Sequence, residues 1–164
     1  FICIGEELHK LHNYNTMMGI LAGLNMSCIT RLHFTKSFLS DAQISKLEDL
    51  ANLMSPRLSF KNFRDNITAA GLPAIPYLGV YLTDLTFVDE GNPSDIDSML
   101  NFSKRIMVAN ILQEVTKYQA SDFAIQPQDP LFTFLKEFPS LDSDGLYSLS
   151  LTREPRGANI LDIV

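Results

Sequence analysis

Apolar positions along this chain recur mainly at helical spacing, and strand-like alternation is nearly absent. From Phe1 to His12, Ile2, Ile4, Leu8 and Leu11 form a rough helical face interrupted by Glu6, Glu7 and Lys10. Thr16 to Leu24 is apolar almost all round, which predicts a buried helix. Ser40 and Gln43 stand at capping-box spacing ahead of Ile44, Leu47, Leu50, Ala51 and Met54, a stripe that Pro56 ends. Ser59 is placed to cap a helix carrying Phe60, Phe63 and Ile67, with Gly71 as its stop.

Pro76 suits the first turn of the next helix, which runs to about Glu90 and ends at Gly91-Asn92-Pro93. A short polar turn leads into Leu100 to Gln119, the longest predicted helix. The 120s, with Gln126-Pro127 and Asp129-Pro130, read as loop, followed by short helices over Leu131–Phe138 and Asp144–Leu151. No repeat, low-complexity tract or linker divides the chain. The predicted architecture is all-α: an irregular multi-helix bundle.

The 164 residues are 46% hydrophobic and 20% charged, which suits one globular core. Thirteen Lys and Arg against 19 Asp and Glu leave a formal charge of −6, and this argues against a nucleic-acid partner. Cys3 and Cys28 make no disulfide framework, so a reducing, cytoplasmic compartment is expected. The charge-free stretch from Asn66 to Thr83 is broken by Gly71, Pro73, Pro76 and Gly79, so no membrane insertion is expected. The opening segment lacks both an initiator Met and a signal-peptide pattern, and it reads as part of a longer polypeptide.

The chemical motifs of common enzymes are missing. None of the eight glycines precedes a Lys, so there is no phosphate loop, and no GxGxxG follows a strand. Gly19 and Gly23 at GxxxG spacing point to close helix packing. His9 and His12, three apart, could share a helix face with Glu6 one turn behind, but zinc needs further ligands in firm geometry, and solvated or half-buried histidines are the simpler reading. No nucleophile-elbow sequence supports a hydrolase. No metal and no cofactor are expected.

One stretch departs from the average. Between Pro73 and Leu100 stand Asp84, Asp89, Glu90, Asp95 and Asp97 with no Lys or Arg, so this segment holds −5 of the net −6. Asp89 and Glu90 close a helix whose C-terminal end is already negative, which is unfavourable by about 0.3–1 kcal/mol per exposed charge. The same helix carries more apolar residues than one buried face requires. It is either a core helix with a frayed acidic end or one arm of a projecting hairpin, apolar-shouldered and acid-tipped, that enters a partner. Composition does not choose between them.

The residues carry a resemblance that does. The run IPYLGVYLTDLTFVDEGNP (Ile75–Pro93), followed by NFSKR (Asn101–Arg105), closely resembles the catalytic domain of Ras-type guanine-nucleotide-exchange factors. So do NYNTMMGILAGLN (Asn13–Asn25) with Arg31-Leu32, Phe60-x-x-Phe63-Arg64, and LYSLSLTREPR (Leu146–Arg156). The likeness covers nearly the whole chain in the right order. It implies that residues 1–164 are the C-terminal portion of one such catalytic domain, without its first third.

The resemblance further implies a protruding antiparallel hairpin, Tyr77–Glu90 with Leu100–Gln119, that opens the nucleotide site of a Ras-family small GTPase and promotes GDP release. Glu90 matches the family's acidic residue that engages the phosphate-loop region, and Thr86 the position aimed at the metal site. Thr83 and Asn92 complete the implied catalytic set. GTPase contacts are implied for Asn25, Ser27, Phe60, Arg64, Tyr77, Phe87 and Asp89. Asn25 and Ser27 read equally well as a helix end and turn, and Phe60 and Tyr77 as core packing. Asn101, Phe102 and Ser103 are expected to start the second arm and pin it to the body, while Lys104 and Arg105 either pair with the acidic tip or are solvated. The partners implied are a Ras- or Rap-type GTPase and the rest of the same polypeptide, whose other domains would supply any recruitment to the inner membrane surface. The alternative is a helical module that binds a GTPase or another protein without releasing nucleotide.

Overall fold

The computed structural model describes residues 1–162. Its elements, in order, are α1 (Ile2–Lys10), α2 (Tyr14–Leu24), α3 (Ser27–Thr30), α4 (His33–Ser37), α5 (Asp41–Leu53), α6 (Arg57–Ala70), α7 (Leu78–Gly91), β1 (Asp95–Ile96), β2 (Met99–Leu100), α8 (Phe102–Thr116), α9 (Leu131–Glu137) and α10 (Ser143–Arg153). Short 3₁₀ turns cover Lys117–Ala120 and Ile160–Asp162. The chain is essentially all-α, as its periodicity predicts.

The residues gather into two compact units where one core was expected. The first is Phe1–Ile20 with Lys46–Phe123, and the second is Leu21–Ser45 with the stretch from Ala124 onward. Two of the three boundaries fall inside α2 and α5, where no linker marks them in the sequence, and the third falls between Phe123 and Ala124 in the loop before α9.

In the first unit, Tyr14, Met17, Phe63, Ile67, Val80 and Tyr81 form the heart of the core. The Tyr14 and Phe63 rings meet edge to face with centroids 5.3 Å apart, and the Tyr14 hydroxyl donates to Asn66 Oδ1 at 2.6 Å. Burial pushes the Tyr14 phenol up to about 12. Gly5 lets α1 approach α5 closely, because a Cβ there would lie 2.8 Å from Leu50 Cδ1. Gly71, at φ +76°, stops α6 where the sequence places the stop.

Three local expectations need correction. Helix α2 is not buried all round: Tyr14, Met17 and Leu21 are buried while Thr16, Gly19 and Ala22 are exposed, so only one stripe packs. Ser59 caps nothing. Leu58, Ser59 and Phe60 have φ of 51°, 56° and 60°, a left-handed turn inside α6 that a serine cap cannot occupy. The polar turn after α7 is a two-stranded antiparallel ribbon pairing Asp95 with Leu100 and Ile96 with Met99. Its turn residues Asp97 and Ser98 both have positive φ, as a two-residue hairpin of this hand requires.

In the second unit, Ser40 and Gln43 form the capping box at the start of α5. Ser40 N–H donates to Gln43 Oε1 at 2.9 Å, and Gln43 N–H donates to Ser40 Oγ at 3.3 Å. Arg31 donates to the carbonyls of Ser150 and Glu154, both at 2.7 Å, and joins α3 to the end of α10. The buried Glu154 carboxylate accepts from the amides of Phe34 and Thr35 and from the Thr35 hydroxyl, so it caps α4 from a distant stretch of chain. Burial alone pushes this carboxyl up. Those hydrogen bonds, with the Arg31 charge, outweigh it and hold the group below its usual range.

Candidate functional site

The helix that carries most of the predicted site residues, α7, divides cleanly between two faces. Val80 and Tyr81 are buried and Asp84, Leu85 and Val88 are half-buried, which packs one side against the core. Thr83, Thr86, Phe87 and Glu90 follow at i, i+3, i+4 and i+7, and all four are exposed. Three of the four residues expected to be catalytic therefore share one solvent-facing stripe with Phe87, which is 68% exposed.

The hydroxyls on that stripe are oriented. Thr83 Oγ1 donates to the Gly79 carbonyl at 2.8 Å, and Thr86 Oγ1 donates to the Leu82 carbonyl at 3.0 Å. Each threonine thus commits its proton to the helix backbone and offers a partner only acceptor lone pairs and a methyl group.

Helices α7 and α8 form a hairpin, and two contacts show that they run antiparallel. At the far end, Lys104 in the first turn of α8 reaches the last turn of α7. At the near end, the Tyr81 phenol lies against Tyr118, whose hydroxyl is 3.5 Å from Glu114 Oε1. Burial, followed by Tyr118, pushes the Tyr81 phenol well above its usual range. The two phenols meet at the base of the hairpin.

The tip is held by charge. Lys104 is 3% exposed, and its Nζ lies 2.9 Å from the Asp89 carbonyl, 2.9 Å from the Asn92 carbonyl and 2.7 Å from Asp89 Oδ1. The hydrogen bond from this ammonium, together with its charge, holds the Asp89 carboxyl below its usual range. Asn92 ends the helix with its side-chain amide donating to the Val88 carbonyl at 2.9 Å. Asp89 and Asn92 are thus engaged in closing the tip. Glu90 is exposed and takes part in none of the ion pairs among the described residues.

Asn101 caps α8 by accepting from Lys104 N–H at 3.1 Å, and its amide donates to the Pro93 carbonyl at 2.9 Å. Its expected structural role is met. Phe102 differs: at 69% exposure it anchors nothing in the core, because it is the first residue of α8 and points away from the packed face.

Phe60, Arg64, Thr83 and Phe87 line one cleft of about 190 Å³ with Val80 and Asp84. The left-handed turn turns Phe60 toward Tyr77, with ring centroids 6.2 Å apart. On the cleft wall Arg64 donates from one nitrogen to both Asp84 oxygens at 2.8 Å, and its Nε donates to the Ser59 carbonyl. Asp84 and Lys104 were not singled out as site residues. The signal for Asp84 is a lone acid inside the apolar run YLTDLTF, which a half-buried position must pair. Asn25 and Ser27 belong to the second unit. Both are exposed, Asn25 follows the last residue of α2, and Ser27 opens α3.

The hairpin thus presents Thr83, Thr86, Phe87 and Glu90 to solvent from a helix whose end is clamped by Lys104. Residues 1–106 match the RasGEF domain, and the chain belongs to that family. It is 42% identical over 166 residues to Ras guanine nucleotide exchange factor S of Dictyostelium discoideum, a match covering 95% of this chain and 16% of that protein. Factors K and B of the same organism are 42% and 36% identical, each over 99% of this chain and over 10% and 11% of their own lengths. The chain thus spans less than a fifth of the length of these relatives. No helix among the described residues is long and apolar enough to cross a membrane.

Proposed function

We propose that this chain promotes GDP release from a Ras-family small GTPase, of Ras or Rap type, by inserting the α7–α8 hairpin beside the nucleotide. The observation that carries the reading is the stripe Thr83, Thr86, Phe87 and Glu90, which ends in a carboxylate left unpaired while Asp84 and Asp89 are neutralised by Arg64 and Lys104. Glu90 accepts hydrogen bonds from phosphate-loop donors in the empty GTPase, where the nucleotide phosphates otherwise sit. Thr86, one turn earlier, lies toward the metal site, and Thr83 and Phe87 extend the contact along the helix. Phe60 and Tyr77 flank the cleft beside it, and Asn25 and Ser27 are proposed separately as GTPase-contacting residues.

No group is transferred and no cofactor takes part. A nucleotide bound at picomolar affinity is held by about 16 kcal/mol. The factor offsets part of that by binding the vacant GTPase more tightly than the loaded one, and by reciprocity fresh nucleotide expels the factor. A cytoplasmic location, where a Ras-family GTPase would be met, belongs to the same proposal.

The test is release of fluorescent GDP from purified Ras-, Rap- and Ral-type GTPases by the intact protein, with and without Glu90→Ala. We expect acceleration on one GTPase class and a loss of roughly tenfold or more in the variant, equivalent to about 1.4 kcal/mol of lost stabilisation. Binding to the vacant GTPase without any release would instead favour a non-catalytic module.

A further inference from the structure

We infer that Lys104 is a positioning residue for exchange: its buried ammonium locks the last turn of α7 and so aims the Glu90 carboxylate. The inference rests on the reading of Glu90 as the working carboxylate.

The placement of Lys104 runs against its own helix. It lies in the first turn of α8, where the macrodipole is positive and an acid is the stabilising choice, and it is almost fully buried, where a lysine is rare unless paired. Every strong contact of its ammonium goes to the opposite arm. The three protons of Nζ match three acceptors at the end of α7, namely the Asp89 and Asn92 carbonyls and the Asp89 carboxylate, with Ser94 Oγ further off at 3.4 Å.

The two carbonyls are groups that the end of a helix leaves without internal partners. These carbonyls lie where Asp89 and Glu90 place two negative charges on a negative dipole end. Lys104 satisfies the carbonyls and neutralises Asp89, and Arg105 adds a weaker attraction to the same carboxylate. Glu90 receives none of this and stays outward.

The lysine is itself fixed. Asn101 Oδ1 accepts its backbone N–H, the Asn101 amide donates to the Pro93 carbonyl, and Asn101 N–H donates to the Ser94 carbonyl at 2.9 Å. The ammonium therefore bridges two frames tied together across the ribbon. Removing it frees the turn that carries Glu90, and misplacement of a working group by about 1 Å costs up to about a hundredfold in rate.

The experiment is a double-mutant cycle on GDP release by the intact protein, using Glu90→Ala, Lys104→Met and the pair, with hydrogen–deuterium exchange of residues 88–94. Lys104→Gln replaces Lys104→Met if the latter loses its helical circular dichroism. We expect Lys104→Met alone to slow kcat by about tenfold to a hundredfold with KM nearly unchanged, to add almost nothing on the Glu90→Ala background, and to raise amide exchange in residues 88–94 selectively. Lys104→Arg, which keeps the charge, should recover part of the rate. Multiplying effects of the two substitutions, or unchanged amide exchange at residues 88–94, overturns the positioning role while leaving Glu90 in place. A Glu90→Ala protein as fast as the parent removes the reading of Glu90 and the positioning role with it.

Discussion

One guanidinium nitrogen of Arg64 stands 2.8 Å from each carboxylate oxygen of Asp84, tying α6 to α7. Both side chains are about one-third exposed, so solvent weakens the pair without abolishing it. Arg64→Met should lower unfolding free energy by about 1–2 kcal/mol, the range for hydrogen bonds to charged groups reduced for solvent screening. Arg64→Lys should recover only part, because a single ammonium cannot also reach the Ser59 carbonyl that Arg64 Nε holds. Denaturant midpoints of the two variants test this, and equal midpoints for Met and parent would contradict it.

Asn101 serves both arms of the hairpin. Asn101→Ala should cost about 2–4 kcal/mol, from loss of the cap and of the partner to the Pro93 carbonyl. Asn101→Ser keeps a capping oxygen but is too short for Pro93, and it should recover about 1 kcal/mol of this. Equal stability of the two variants in urea would show that the cap contributes nothing.

Acid should weaken the fold through two carboxylates. Asp89 and Glu154 both have folded pKa values below their ordinary ones, so the native state binds fewer protons than the unfolded chain as pH falls. Their contribution is full above the ordinary carboxylate range, about pH 4–4.5, and is lost as pH falls through the depressed folded values. Carbon-13 titration of the Asp89 carboxyl should give a midpoint below the ordinary value, moving up in Lys104→Met. A midpoint that stays put in that variant would rule out Lys104 as the cause.

The left-handed turn at Leu58–Phe60 holds three non-glycine residues where L-amino acids are strained by about 1–2 kcal/mol each. Ser59→Gly relieves that strain at one position but adds freedom to the unfolded chain, so its net gain should be at most about 1 kcal/mol. Ser59→Val, β-branched, should destabilise clearly. Thermal melts decide the matter, since a valine variant as stable as the glycine one is incompatible with positive φ at Ser59.

What could be read in advance follows physical range. The Ser40–Gln43 box, the Gly71 stop and the end of α7 were legible because each depends on residues within one or two turns, whereas Pro76, expected in the first turn of α7, lies before its N-cap Tyr77. Contacts across longer separations were not. Arg64 meets Asp84 from 20 residues away, Lys104 meets the Asp89 carbonyl from 15, and Glu154 caps Thr35 from 119. The ribbon escaped notice because Asp97-Ser98 is no Asn-Gly turn, and the left-handed turn because no glycine announces it. For the site, the family likeness brought Thr83, Thr86, Phe87 and Glu90 forward as separate positions. Their common stripe, and the bonds by which Asp89 and Asn92 close the tip, needed three dimensions.

The RasGEF match stops at residue 106, inside the second turn of α8. Tyr118, which shields Tyr81 at the hairpin base, comes later, and so do Ser150 and Glu154, which hold Arg31 and Thr35. Anyone trimming a gene to that boundary for recombinant production would strip both units of their fastenings and should recover inclusion bodies, whereas a cut placed beyond Arg156 keeps every one of those fastenings.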